Sequence, residues 1–544
     1  MKTLASIEQT KKLIDDLKSI CAVYGLGNDG NEFKIITQIF LYKFLNDKFI
    51  YEVKKIDKKL SNSDNFFSEL NSLKDKEFEM LLLQLNESTA ILKPNQLINH
   101  IFEQQNEPNF SKIFDNNLID ISKQNIDIFS VLTDTGEKIV LFENISEFVT
   151  NKRDDFCKAI INKLVNFSFE NLFDEKFDFF STIFEYLIKD YNSNSGGKYA
   201  EYFTPYGVAK IMSSCLVDEK KDNLKCYDPS AGSGTLLMNL GNLIGDNNCI
   251  IYSQDISQKS SNLLRLNLIL NNLVHSIPNI IQGNTILDPF HKDENNDLMK
   301  FDYVVSNPPF KLDFSEYIDQ LDVKENKTRF FAGLPSVPPK DKDKMAIYPL
   351  FIQHIIYSLS KTGKAAIVVP RGFSTARNSI EKGIRKYLVE NKMLRGFINM
   401  PSNIFAKTGT NVSILFIDNQ KKDENVILID ATKLGITVKD GKNQKTLLQE
   451  QDQDLIISSF KNNKSKDDFS IVLSYEEIIE KDYSFNAGQY FEVKIDYKKL
   501  NEKEFLNQMQ NFEKNLNNFF KKSKDLETEM NKELKKIDLK KDAF

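Results

Sequence analysis

From Leu224 to Asp418 the chain repeats one pattern: a short run rich in β-branched and aromatic residues, then, in most cases, apolar residues at helical spacing. The runs are LKCYD, CIIYSQD, NIIQGN, FDYVVSN, KAAIVVP, LRGFINM and VSILFID. Strands separated by helices re-enter a sheet in the same direction, so the expected fold class is α/β, a doubly wound and mainly parallel sheet. LRGFINM and VSILFID are joined by a short non-helical link. This last pair is therefore expected to be an antiparallel hairpin, a reversed edge on the parallel sheet.

The flanks follow other rules. Residues 1 to about 165 place apolar residues at helical spacing with few Gly or Pro, as in FKIITQIFLYKFLND and FEMLLLQLNE, and read as a helical N-terminal domain. The polar, glycine-bearing stretch NSNSGGKYAEY at 192 to 202 separates it from the strand-rich part. At the other end Phe505, Met509, Phe512, Leu516, Phe519, Leu526, Met530 and Ile537 fall on alternating spacings of three and four, with Ser523 in one polar slot. That is a heptad seam, and a helix with one apolar stripe needs a partner to bury it. The expected division is 1–165 helical, 166–480 α/β and 481–544 a coiled-coil-like tail for assembly.

With 544 residues, 41% of them hydrophobic, the chain is large enough for several domains and a site enclosed by a core. No stretch approaches the roughly 20 apolar residues of a membrane span. The start, MKTLASIEQTKKLIDDL, has no apolar core behind its lysines and does not read as a secretory signal, so a cytoplasmic place is expected. Cys21, Cys157, Cys215, Cys226 and Cys249 show no C-x-x-C spacing, and the four histidines form no ligand pair. Buried thiols are expected, with neither a disulfide frame nor a metal site. The formal charge of −5 is unlike that of a protein that grips a nucleic acid alone, since Lys and Arg supply most of that hold. Either the substrate is something else or a partner supplies the grip.

Three motifs carry chemistry. Asp228-Pro-Ser-Ala-Gly-Ser-Gly-Thr235 joins LKCYD to the apolar helix TLLMNLGNLI. Gly232 and Gly234 let the backbone approach a ligand, and the turn aims a helix N-terminus at it. The pattern lacks the third glycine of a dinucleotide fingerprint, having Leu237 there, and lacks the Gly-Lys-Ser/Thr of a phosphate loop. By itself it also suits a plain strand-to-helix turn. Asp255 ends the next strand, at the distance where an acid accepts hydrogen bonds from ribose hydroxyls in nucleotide-binding α/β folds, although strand-end carboxylates also cap helices. Asn307-Pro308-Pro309-Phe310 follows the strand FDYVVS. Two prolines remove backbone donors and fix φ, so the carbonyls of this rigid turn look for donors elsewhere. Asn307 Oδ1 and the Pro308 carbonyl can each accept one N–H of an exocyclic amine such as adenine N6, and Phe310 offers a π face to a flipped base.

In this order, these segments resemble the N6-adenine DNA methyltransferase subunits of type I restriction-modification systems. KYAEYFTP, ending at Pro205, looks like the family segment before the cofactor loop, DPSAGSG like that loop, and NPPF like the catalytic motif. FFAGLPSVPP, PLFIQHIIYSLSKTGKAAIVVPRG, IRKYLVEN, MPSNIFAKTGTNVSILF and YSFNAGQYF resemble the downstream half. The resemblance covers most of the chain. It implies S-adenosylmethionine as cofactor, held by Tyr202, Phe203, Thr204, Pro205, Asp228, Ser230, Gly232, Gly234, Thr235, Asp255 and Asn284. Thr204 and Pro205 also suit an N-cap and first helical position. The implied partners are a specificity subunit that reads duplex DNA, a second modification subunit, and a restriction or translocase subunit. Two departures stand out: where the family often has an acid after the third strand this chain has Asn284, and its arginine-bearing N-terminal pattern is hard to find in SICAVYGLGNDGNEFK.

Other readings are a protein methyltransferase acting on glutamine amides, which shares Asn-Pro-Pro-aromatic, and a silent assembly protein that retains the fold. Phe310 in place of Tyr, the helical N-terminal part and the heptad tail disfavour the first; intact NPPF and DPSAGSG disfavour the second. A restriction-methylation fusion lacks a nuclease motif in 1 to 165. Arg371, after KAAIVVP, is placed either to meet DNA phosphate or to form a surface salt bridge.

Overall fold

The computed structural model describes residues 2–27, 30–173, 182–187, 204–218, 222–405, 411–420, 424–440, 443–491 and 502–537. The chain forms two compact units, Met1–Phe491 and Glu492–Phe544.

The first unit opens with helices, as its spacing predicts: Lys2–Val23, Gly30–Ile56, Phe110–Gln124 and Arg153–Leu164 are the longest. Gly30–Ile56 is apolar on more than one face and buries fifteen residues, including an ion pair between Lys43 and Asp47 at 2.8 Å. A helix apolar nearly all round belongs at the centre of its domain. This part is not wholly helical, however. Val131–Thr133 (β1) and Lys138–Ile139 (β2) pair antiparallel around Gly136, whose φ is 84°. The run VLTDTGEKIV carries the signature of a short hairpin, β-branched residues flanking a glycine turn.

The seven segments read as strands all form: Leu224–Asp228 (β3), Cys249–Asp255 (β4), Ile280–Gln282 (β5), Phe301–Ser306 (β6), Leu359–Pro370 (β7), Leu394–Asn399 (β8) and Val412–Asp418 (β9). Asn425–Asp430 (β10) and Ser470–Ser474 (β13) extend the sheet, while Ile436–Asp440 (β11) and Asn443–Leu447 (β12) make a separate antiparallel ribbon. The sheet order is β13-β10-β8-β9-β7-β6-β3-β4-β5-β1-β2. β3, β4, β5, β6 and β7 are parallel neighbours, and β1 joins β5 in parallel.

The reversed pair is present but is not an edge. β9 runs antiparallel to both β7 and β8, inside the sheet, and β10 continues parallel beyond β8. The position follows from burial. Ile414 and Phe416 enter the core on one face, Leu415 and Ile417 the core on the other. A strand apolar on both sides is stable only where both faces and both flanks are covered.

Among its described residues the tail unit forms one helix, Glu502–Ile537, 36 residues long. Its seam residues from Phe505 to Met530 are exposed, with Phe512 at 65%, Phe519 at 66% and Met530 at 65%. All five cysteines are buried. Among the described residues no helix is long and apolar enough to cross a membrane.

Candidate active site

Strand order reverses direction between β3 and β6: β4 and β5 lie to one side of this pair, β7 and the rest to the other. Crossover helices leave a crevice at such a point, outside the carboxyl ends of the strands. The loops after β3, β4, β5 and β6 meet there.

Asp228 ends β3 fully buried, and its Oδ1 accepts from the Ser230 N–H at 2.9 Å. Gly232 and Gly234 take φ values of 54° and 81°. A Cβ on Gly234 would stand 2.2 Å from Leu264 Cδ1, so glycine is required both for the backbone and for the packing of helix Gln258–Leu270. Helix Thr235–Ile244 begins here with Gly234 as its cap. The loop after β3 is tied to β4 because Asp255 Oδ2 accepts the Gly232 N–H at 3.0 Å, while Oδ1 accepts the Ser257 N–H at 2.9 Å. Burial pushes the Asp228 carboxyl up to about 8 and raises that of Asp255 as well. Ile256, next along the edge, is 63% exposed, an apolar surface beside the acid.

The loop after β5 is fastened by residues that the sequence did not mark. Thr285 Oγ1 donates to the Pro229 carbonyl at 2.8 Å. Arg329, buried, donates to the carbonyls of Thr285 and Ile286, each at 2.8 Å, and through Nε to His354 Nδ1 at 3.0 Å. His354 Nε2 then lies 3.2 Å from the Tyr227 hydroxyl on β3. Burial and the Arg329 charge hold His354 well below its usual range, so the ring is neutral and its unprotonated Nδ1 accepts from Arg329. Asn284 Oδ1 is engaged as a turn acceptor for the N–H groups of Ile286 (3.1 Å) and Leu287 (3.3 Å).

At the end of β6, Ser306 Oγ and Ser230 Oγ are 2.8 Å apart, joining the loops after β3 and β6. Asn307 Nδ2 donates to Thr204 Oγ1 at 3.2 Å. The amide nitrogen is thereby occupied and Oδ1 is left as an acceptor. Thr204 is not the cap expected from sequence: helix Tyr206–Leu216 is capped at Pro205 without a side-chain bond, one residue later, and the Thr204 hydroxyl serves Asn307 instead. Pro308 is buried, Pro309 and Phe310 half-buried. Phe310 meets Tyr348 edge-on at 6.1 Å, and its carbonyl accepts the Ile347 N–H at 3.1 Å. Tyr202 and Phe203 lie outside the described residues. Arg371 is half-buried and, among the described residues, forms no ion pair.

The sequence model of the N-6 DNA methylase family matches residues 175–499, well over half of the chain. The chain belongs to the N-6 DNA methylase family. Among its relatives is the MpnII methylase subunit of a type I restriction enzyme from Mycoplasma pneumoniae, 26% identical over 497 residues that cover 87% of this chain and 88% of the relative. The MjaIX methylase subunit from Methanocaldococcus jannaschii is 28% identical over 486 residues, covering 86% and 81%. In fold, this N-6 DNA methylase is similar to a type I restriction-modification methyltransferase subunit from Streptococcus thermophilus, with a TM-score of 0.70 at 22% identity, covering 89% of this chain and all of the other (100%). A DNA methyltransferase is thus favoured over the glutamine methyltransferase that shares Asn-Pro-Pro-aromatic.

Proposed function

We propose that the chain is the modification subunit of a type I restriction-modification complex, methylating the N6 amine of an adenine flipped from duplex DNA. The observation that carries this reading is the Asn307 amide, oriented by Thr204 so that Oδ1 is available beside the donor-free Pro308-Pro309 turn. Asn307 Oδ1 and the Pro308 carbonyl each accept one N–H of the amine, fixing its plane and directing its lone pair. Phe310 supplies the stacking face. The rate derives from positioning and from the two acceptors, which stabilise positive charge as it develops on nitrogen.

The crevice suits S-adenosylmethionine: a glycine turn with two positive-φ residues at the strand end, two buried carboxyl groups and an exposed apolar residue. When bound, that cofactor supplies an electrophilic methyl group on a sulfonium. Asp228 and the backbone of Gly232 and Gly234 would hold the ammonium of its amino-acid end, with Ser230 and Thr235 in the same loop. Asp255 would accept from the ribose hydroxyls, with Ile256 and Asn284 on the purine side. Tyr202, Phe203 and Pro205 would complete the set that the family resemblance assigns to the cofactor, while the Thr204 hydroxyl serves Asn307.

We assign 1–165 to a helical N-terminal part, 166–480 to catalysis and 481–544 to assembly. A specificity subunit binds the exposed seam of Glu502–Ile537 and reads the DNA sequence, which accounts for the acidic charge of this chain. A second modification subunit and a restriction subunit complete the complex, in the cytoplasm where the DNA lies. Sequencing methylated bases in DNA from cells expressing the chain with its neighbouring reading frames tests this. N6-methyladenine at one defined sequence is expected; unmodified adenine throughout overturns the reading.

A further inference from the structure

The ribbon β11–β12 leaves the sheet directly after β10, a strand parallel to β8. It therefore rises from the same carboxyl edge as the loops after β3, β4 and β6. A two-stranded ribbon alone is marginal in water. This one is pinned to the loop after β8: the Thr446 N–H donates to the Asn403 carbonyl at 3.0 Å, and Thr446 Oγ1 to the Ser402 carbonyl at 2.7 Å. Thr446 is buried, whereas Lys439 and its cross-strand neighbour Gln444 are exposed.

The charge here is opposite to that of the chain as a whole. Residues 431–449 hold four lysines against one aspartate, in a protein of formal charge −5. Lys433 and Lys439 are exposed and, among the described residues, neither forms an ion pair. Lys445 is half-buried and acts on the carboxyl of Glu185, lowering it against the effect of burial.

We propose that this ribbon is a rail for the DNA backbone, with Lys433 and Lys439 meeting phosphates to one side of the target adenine; this rests on the reading of the chain as a DNA methyltransferase. β10 stands four positions from β6 in the sheet. At a strand spacing of ~4.8 Å that is about 19 Å, or roughly five to six base pairs at ~3.4 Å each, half a turn of duplex. Lysine is a flexible point charge and a contact to phosphate carries no base information, so the ribbon adds grip and register while sequence reading stays with the partner.

The test uses the complex formed when the chain is co-expressed with its neighbouring reading frames, assayed for N6-methyladenine in a duplex at increasing sodium chloride. The variants are Lys433→Gln with Lys439→Gln, and Lys433→Arg with Lys439→Arg. The glutamine pair is expected to raise KM for duplex several-fold and to make the log–log salt dependence of that KM shallower by about 2, near 0.9 per lost phosphate contact. KM for S-adenosylmethionine stays unchanged, and the arginine pair restores both values. An unchanged salt dependence in the glutamine pair, or a defect that the arginine pair does not rescue, overturns the rail while leaving the methyltransferase reading intact. Absence of N6-methyladenine with the unaltered chain removes the reading on which the rail rests.

Discussion

Asn307 Nδ2 donates to Thr204 Oγ1 at 3.2 Å, a bond between residues 103 positions apart. It decides which end of the Asn307 amide is left for substrate. Thr204→Val keeps the shape of the side chain and removes the acceptor. We expect kcat to fall about tenfold, the size of one ordinary hydrogen bond, with KM for S-adenosylmethionine changed less than about twofold. Thr204→Ser restores the rate. A raised KM with unchanged kcat would assign Thr204 to the cofactor instead.

Asn284 spends its Oδ1 on two backbone N–H groups and has only a donor left to face the crevice. An aspartate there has a second oxygen, ionised and free to accept from an adenine amine, and charge-assisted bonds are stronger. Calorimetry on Asn284→Asp is expected to show tighter S-adenosylmethionine binding. Equal or weaker binding places the side chain away from the purine.

Burial pushes the Asp228 carboxyl up to about 8, with bonds from Ser230 and Ser306 pulling the other way. At pH 7 the free protein holds it mostly protonated. A cationic ligand favours the ionised form, so binding releases a proton. Affinity for S-adenosylmethionine should therefore rise with pH by up to tenfold per unit below about pH 8, above which the ligand's own ammonium loses its proton. Titrations from about pH 6 to about pH 9 check this, and Asp228→Asn should abolish the slope. A slope that persists unchanged in Asp228→Asn contradicts the assignment.

Deleting 498–544 removes the exposed seam and leaves the unit that carries the sheet. Phe at several core slots is bulky for a tight two-stranded coil, which favours insertion into a groove between partner helices. The truncated chain is expected to remain a folded monomer with unchanged S-adenosylmethionine affinity, yet to lose co-purification with its specificity partner and to lose DNA methylation. Normal assembly and methylation by the truncated chain would mean that the seam packs elsewhere.

The strands around the crevice were legible because each is a short apolar run bounded by a turn, and the motifs lie at their ends. The hairpin β1–β2 was harder to see, being short and embedded in helices. β10 and β13 lie beyond the alternation of strands and helices that ends at Asp418, although NVILID has the same grammar. The fastening of the site was not legible at all. Arg329, Thr285, Ser306 and His354 act through carbonyls and hydroxyls brought together by folding, and no local pattern announces them. One signal was available. Only seven of the 72 basic residues are arginine. Three of the seven, Arg265, Arg329 and Arg385, are buried and spread their guanidinium groups over several backbone carbonyls, a task lysine cannot perform.

The central claim, that Asn307 receives the amine that is methylated, is tested most directly by Asn307→Ala, measuring N6-methyladenine formation and S-adenosylmethionine binding on the same preparation. Loss of one preorganised acceptor typically costs about 2.7 to 4 kcal/mol. The account predicts methylation reduced about a hundred- to thousand-fold with cofactor affinity within about twofold of the unaltered chain. Methylation at a near-normal rate, or a loss matched by an equal loss of cofactor affinity, would contradict it.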